Sequence, residues 1–143
     1  MIIAIANDHA GVEYKNELCA YLEKLGHTVL NFGCDDTLSC DYPDYAVKVT
    51  SAIQQKNADM GVLICGTGVG MSIFANKQKG IRASLCDNLF SAQLTREHND
   101  SNVLCLGARV ISKQLMLDIA KVYFSTPFSN DERHLRRIRK LEN

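Results

Sequence analysis

Val62-Leu63-Ile64-Cys65-Gly66-Thr67-Gly68-Val69-Gly70-Met71-Ser72-Ile73-Phe74-Ala75-Asn76-Lys77 decides how this chain folds. An apolar run ends in a cysteine, three alternate glycines follow, and a segment able to form a helix comes next. A buried strand that turns through glycines into a helix aims several backbone N–H groups at one point. Such a point binds negative charge. A thiol held there is favoured as its thiolate by the same N–H groups and the helix dipole. The segment thus offers both a proton acceptor and a cradle for an oxyanion.

Working outward, the same alternation recurs. Apolar or β-rich runs predict strands over 2–6, 28–32, 61–65, 82–85 and 103–106. Several are apolar throughout, as strands buried on both faces are. The stretches between predict helices over 12–25, 45–56, 71–78, 89–97 and 113–124, with a last polar helix over about 130–141. Leu18, Leu22 and Leu25 keep helical spacing and Gly26 stops the first helix. Pro43-Asp44 suits the start of the second, with Asp44 as N-cap, and Ser112 caps the fifth.

Five βα units in series imply a parallel sheet with helices on both faces. Ligands of such sheets bind beyond the carboxyl ends of the strands, at the topological switch point. The residues at those ends are Asn7-Asp8-His9, Gly33 onward, Cys65 to Gly70, Cys86-Asp87 and Gly107-Ala108-Arg109.

Composition narrows the classes. The 143 residues suit a single domain spanning 1–143, with 46% apolar and 22% charged residues. Formal net charge is zero, so nothing global argues for nucleic acid or an acidic membrane. No apolar run approaches the ~20 residues that span a bilayer. Met1 to Asp8 lacks a basic leader and reads as a first strand. None of the six cysteines forms a C-x-x-C pair and no Cys/His group has zinc spacing, so neither metal nor cofactor is expected. The expectation is a cytoplasmic protein with reduced thiols, mostly small buried hydrophobes, with Cys65 the exception.

The glycine loop is neither G-x-G-x-x-G nor a P-loop, and it follows the third strand rather than the first. Thr67 is placed to shuttle a proton or to bond the local backbone. Asp8-His9 closes the first strand with an imidazole beside a carboxylate. Arg96-Glu97-His98-Asn99-Asp100 precedes the last strand, and His98 and Asn99 are expected at the same sheet edge as Cys65. Arg133 and Arg137 stand i, i+4 on the last helix and share one face that suits one phosphate. No aromatics interleave this basic run, so a small phosphorylated ligand fits better than nucleic acid.

Together these residues carry a resemblance. Asp8-His9-Ala10-Gly11, Asp41-Tyr42-Pro43, Cys65 to Gly70 with Ala75-Asn76-Lys77, Gly80-Ile81-Arg82-Ala83, His98-Asn99-Asp100, Gly107-Ala108-Arg109 and Arg133-His134-x-x-Arg137 resemble the type B ribose-5-phosphate isomerases. That group lies within the sugar-phosphate isomerases that include the galactose-6-phosphate isomerase subunits. The resemblance covers essentially the whole chain. It implies a three-layer α/β/α sandwich with a five-stranded parallel, Rossmann-like sheet and a C-terminal helix. It also implies a metal-free aldose–ketose isomerase working through a cis-enediolate, as a homodimer or dimer of dimers whose sites draw on two chains.

By that resemblance Cys65 is the base between C1 and C2 of the open-chain sugar, and Thr67 assists proton transfer between the oxygens. The N–H groups of Gly66, Thr67, Gly68, Val69 and Gly70, with Asn99, hold the enediolate oxygen. His98 helps open the furanose ring. Asp8, Asp41 and Tyr42 line the site, and His9, Arg109, Arg133 and Arg137 bind phosphate. Some relatives use a carboxylate base from the helix after the loop. Phe74 stands in that helix here, which favours the thiol version. Asn7 stands where a smaller residue is common and Ser101 at a variable position, neither in an assigned role. Two other readings remain: one subunit of a hetero-oligomeric hexose-6-phosphate isomerase, and a non-catalytic flavodoxin-like module holding a phosphate or nucleotide.

Overall fold

The computed structural model describes residues 1–142. Five strands form one parallel sheet: β1 (Ile2–Asn7), β2 (Thr28–Asn31), β3 (Met60–Cys65), β4 (Ala83–Leu85) and β5 (Val103–Gly107). Their order is β2-β1-β3-β5-β4. Six α-helices complete the fold of the described residues: α1 (Val12–Lys24), α2 (Tyr42–Gln54), α3 (Val69–Asn76), α4 (Leu89–Asn99), α5 (Lys113–Ser125) and α6 (Glu132–Leu141).

Side-chain size along the central strands sorts the helices between the two faces. Ile3, Ile5, Val62, Ile64, Leu104 and Leu106 point one way and pack on Leu18 and Leu22 of α1 and Met116 and Ile119 of α5. The alternate positions are smaller: Ala4, Ala6, Leu63, Cys65, Val103 and Cys105 meet Ala46 and Val49 of α2 and Met71 and Ala75 of α3. The small residues let α2 approach closely. A Cβ on Gly61 would lie 2.4 Å from Val49 Cγ1.

From β1 the chain leaves through α1 on one face; from β3 it leaves through α3 on the other. The two strands are neighbours, with Asn7 paired to Ile64. Their carboxyl ends therefore open a crevice between diverging loops, the switch point of the sheet.

Helix α2 starts at Tyr42, three residues earlier than the sequence pattern suggests. Its N-cap is Asp41, not Asp44, and Pro43 lies in the first turn, where a missing N–H costs nothing. Ser112 caps α5 as expected, accepting from Leu115 N–H at 3.1 Å. No helix among the described residues is long and apolar enough to cross a membrane.

Candidate active site

Cys65 ends β3 at the crevice and is 4% exposed. The Gly68 N–H donates to its Sγ at 3.1 Å. That bond needs the loop to double back, and it does so through Gly68 at φ +78°. A side chain there would strike Leu85 Cδ1 at 2.5 Å and the Leu106 carbonyl carbon at 2.9 Å. Helix α3 starts at the next residue, so its first N–H groups and its positive end face the same point. Thr67 Oγ1 accepts from Val69 N–H at 3.2 Å, which leaves its own proton free to donate.

Neighbouring elements close around this loop. Arg109 folds over Gly66, where a Cβ would come within 3.1 Å of Nη1, and its N–H donates to the Gly66 carbonyl at 2.9 Å. Tyr42 lies across Gly70, where a Cβ would sit 2.6 Å from Cζ. On the other side of the crevice Asp8 is buried, and its Oδ1 accepts from Ala10 N–H at 2.9 Å. His9 Nδ1 accepts from Cys40 N–H at 3.3 Å, so a neutral ring carries its proton on Nε2, free to meet a ligand. Asp41 is exposed and its carboxylate does not cap α2.

His98 and Asn99 do not join this group within one chain. In a right-handed βαβ unit the helix runs against the strands, so its last residues lie at the amino edge of the next strand. Helix α4 ends at Asn99, whose carbonyl accepts from Arg82 Nε at 3.0 Å, just before β4. The length of β5, roughly 13 Å at ~3.3 Å per residue, therefore separates these residues from Cys65. Arg133 and Arg137 belong to the same far edge. Helix α6 packs on α4 through the His134 and His98 rings, 4.3 Å apart, and Glu142 pairs with Arg82. Both arginines are exposed, with Arg133 Nε 3.2 Å from Asp131. A cleft of about 480 Å³ opens at this edge, walled by 76–84, Leu141 and Glu142.

Arg96 of the 96–100 cluster and Ser101, which follows it, are structural. Arg96 is buried, bonds Asp100 at 2.9 Å and the Ser101 carbonyl, and lies over the Tyr123 ring. Ser101 Oγ accepts from Ser84 Oγ at 2.9 Å, donates to the Arg82 carbonyl at 2.9 Å and bonds the Tyr123 hydroxyl at 2.9 Å, so it ties three elements together. Asn7 also does more than the sequence suggested. Its Nδ2 donates to the Asp8 carbonyl at 2.8 Å and the Cys34 carbonyl at 3.1 Å, tying the His9 turn to the loop before α2. A Cβ on Gly33 would fall 1.9 Å from Asn7 Oδ1, so glycine is required opposite it. A polar residue ending the otherwise apolar run Ile2 to Ala6 was the available signal.

Residues 3–141 match the ribose/galactose isomerase family. The chain belongs to that family. This family member is 42% identical over 139 residues to the ribose-5-phosphate isomerase B of Escherichia coli, covering 97% of this chain and 93% of the relative. It is 41% identical over 127 residues to the D-erythrulose-4-phosphate isomerase of Pectobacterium atrosepticum, covering 88% and 84%. Its fold superposes on the ribose-5-phosphate isomerase B of Clostridium thermocellum with a TM-score of 0.97 at 44% identity, covering 99% and 95% of the two chains. The protein is thus an isomerase of sugar phosphates, which removes the non-catalytic reading. The three-layer architecture and the five-stranded parallel sheet agree with the expectation from sequence.

Proposed function

We propose that the protein interconverts ribose 5-phosphate and ribulose 5-phosphate through a cis-enediolate, with Cys65 as the base. The observation that carries this reading is the Gly68 N–H on Cys65 Sγ at 3.1 Å, inside a loop of donors at the switch point. The thiolate takes the C2 proton of the open-chain aldose. The electron pair moves into a C1–C2 double bond and onto O1. The N–H groups of 66–70 are preorganised for that developing charge, the arrangement that stabilises oxyanions most. Thr67 passes the O2 proton to O1, and Cys65 returns its proton to C1, which yields the ketose. Asp8, Asp41 and Tyr42 line the sugar, while His9 and Arg109 hold phosphate from this chain.

The remaining groups come from a second copy. His98, Asn99, Arg133 and Arg137 stand at the opposite sheet edge, too far from Cys65 to serve its site. A homodimer, or a dimer of dimers, that apposes the two unlike edges completes each site. His98 then opens the furanose, Asn99 joins the oxyanion donors, and the arginines grip the phosphate. This chemistry draws on no metal or cofactor, so activity survives exhaustive chelation.

Substrate choice rests on the room beside Asp41 and Tyr42. Purified protein is assayed with ribose 5-phosphate, allose 6-phosphate and galactose 6-phosphate side by side. The pentose should give the highest kcat/KM; a higher value with either hexose overturns the pentose assignment.

A further inference from the structure

His134 takes no part in the chemistry above, yet it is among the most enclosed polar side chains of the protein, 4% exposed on an otherwise polar helix. Its ring lies 4.3 Å from that of His98, centroid to centroid, tilted by 36°. Its Nδ1 is 2.9 Å from Ser129 Oγ. That oxygen also accepts from Asp131 N–H at 3.2 Å, so the ring is tied to the turn that starts the helix. The backbone is fixed as firmly: His134 N–H donates to the Asp131 carbonyl at 2.9 Å, and Ser129 N–H to the Glu97 carbonyl at 3.1 Å, next to His98. The His98 ring, by contrast, makes no hydrogen bond among the described residues and is only half-buried. The ring contact of His98 is with His134.

We propose that His134 is a positioning residue whose anchored ring holds the His98 imidazole at the angle needed to act on the furanose oxygen. The inference rests on the reading of His98 as the ring-opening group. Burial first, and then the charges of His98 and Arg133, hold His134 below the ordinary imidazole range, although Asp131 opposes them. It therefore stays neutral near pH 7 and adds no further positive charge beside Arg133 and Arg137.

A double-mutant cycle tests this. His98→Ala, His134→Ala and the double variant are assayed with ribose 5-phosphate, alongside melting temperatures. His134→Ala should lower kcat on the order of 10–100-fold, the cost of a misplaced group, with KM within about twofold of the parent. In the His98→Ala background it should have no further effect, because the group it positions is gone. An equal factor in both backgrounds overturns the proposal, as does an unchanged kcat. A raised KM at constant kcat overturns it too, since His134 would then act through the arginines. If His98→Ala itself keeps the parental kcat, the ring-opening assignment fails, and the positioning role falls with it. If His134→Ala does not fold, His134→Phe and His134→Gln replace it. Phe keeps the stacked ring and should retain more kcat than Gln; equal values would sink the idea.

Discussion

Six thiols sit in this chain, and their surroundings divide them. Burial pushes the Cys19 and Cys86 thiols up to about 11 and drives Cys105 higher still. Cys34 is raised as well, by burial and by the neighbouring Cys40. Such thiols are inert hydrophobes. Cys65 alone ends a strand at the crevice with a backbone N–H on its sulfur. Cys65→Ala should therefore lower kcat by roughly 10²–10⁴, the usual contribution of a general base, with little change in KM. Cys19→Ala should shift only the melting temperature. Steady-state kinetics on both variants decides the assignment, and near-parental turnover in Cys65→Ala removes the mechanism. Arg137→Ala should act the other way. Losing one charge-assisted donor to a phosphate dianion costs about 1.5–3 kcal/mol, which appears as a raised KM. Equal losses on phosphorylated and unphosphorylated ribose would make Arg137 structural.

Elements transmit these placements. Gly68 combines a left-handed backbone with no room for a side chain, so Gly68→Ala strains the loop and pushes on Leu85 and Leu106. The expected cost is about 1–3 kcal/mol, read as a lower melting temperature, together with a fall in kcat as the Cys65 contact opens. Helix α6 carries a different sensitivity. Its His134 resists protonation in the fold, chiefly through burial, and so does His27, through burial and the N-terminal charge. The unfolded chain takes up those protons first, near pH ~6.5. Stability should thus be full above that pH and fall as pH drops below it. Melting curves between about pH 7.5 and 5.5 measure the decline, and His134→Phe should lessen it; an unchanged slope in that variant contradicts the assignment.

The elements were legible in the sequence because each rests on a local pattern. Isoleucine–alanine alternation in 2–6 and the glycines of 66–70 state their conformation directly. The start of α2 was less so, because Asp44 is a good cap but Asp41 precedes the proline that fits the first turn. The placement of His98 and Asn99 was misread for a different reason. Their types suggested the site, while their position immediately before a strand puts them at its amino edge. Direction along the sheet outranks residue type. Asn7 and Ser101 were missed because their partners, Cys34, Ser84 and Tyr123, are remote in sequence.

At the scale of the whole molecule, the two clusters make a direct test of assembly. Assayed at substrate concentrations well below KM, where both variants are nearly inactive, Cys65→Ala and Arg137→Ala chains that are mixed and allowed to exchange should form mixed dimers in which one site has both intact residues and the other has neither. Random pairing should restore about a quarter of the parental activity. Continued inactivity, with exchange shown by mass labelling, would place each site within one chain.

The separation of the two clusters by the sheet also shapes how such a gene can diverge after duplication. If each copy contributes a base edge to one site and an arginine edge to the other, as proposed above, damage to either edge is silent while a sister copy supplies the lost half. One copy is then free to discard its thiol edge, the other its arginine edge. The pair becomes obligate, each product inert alone and competent with its sister, at the cost of one working site per dimer. A single polypeptide with its reactive groups on one rim has no such route to an enzyme of two unlike subunits.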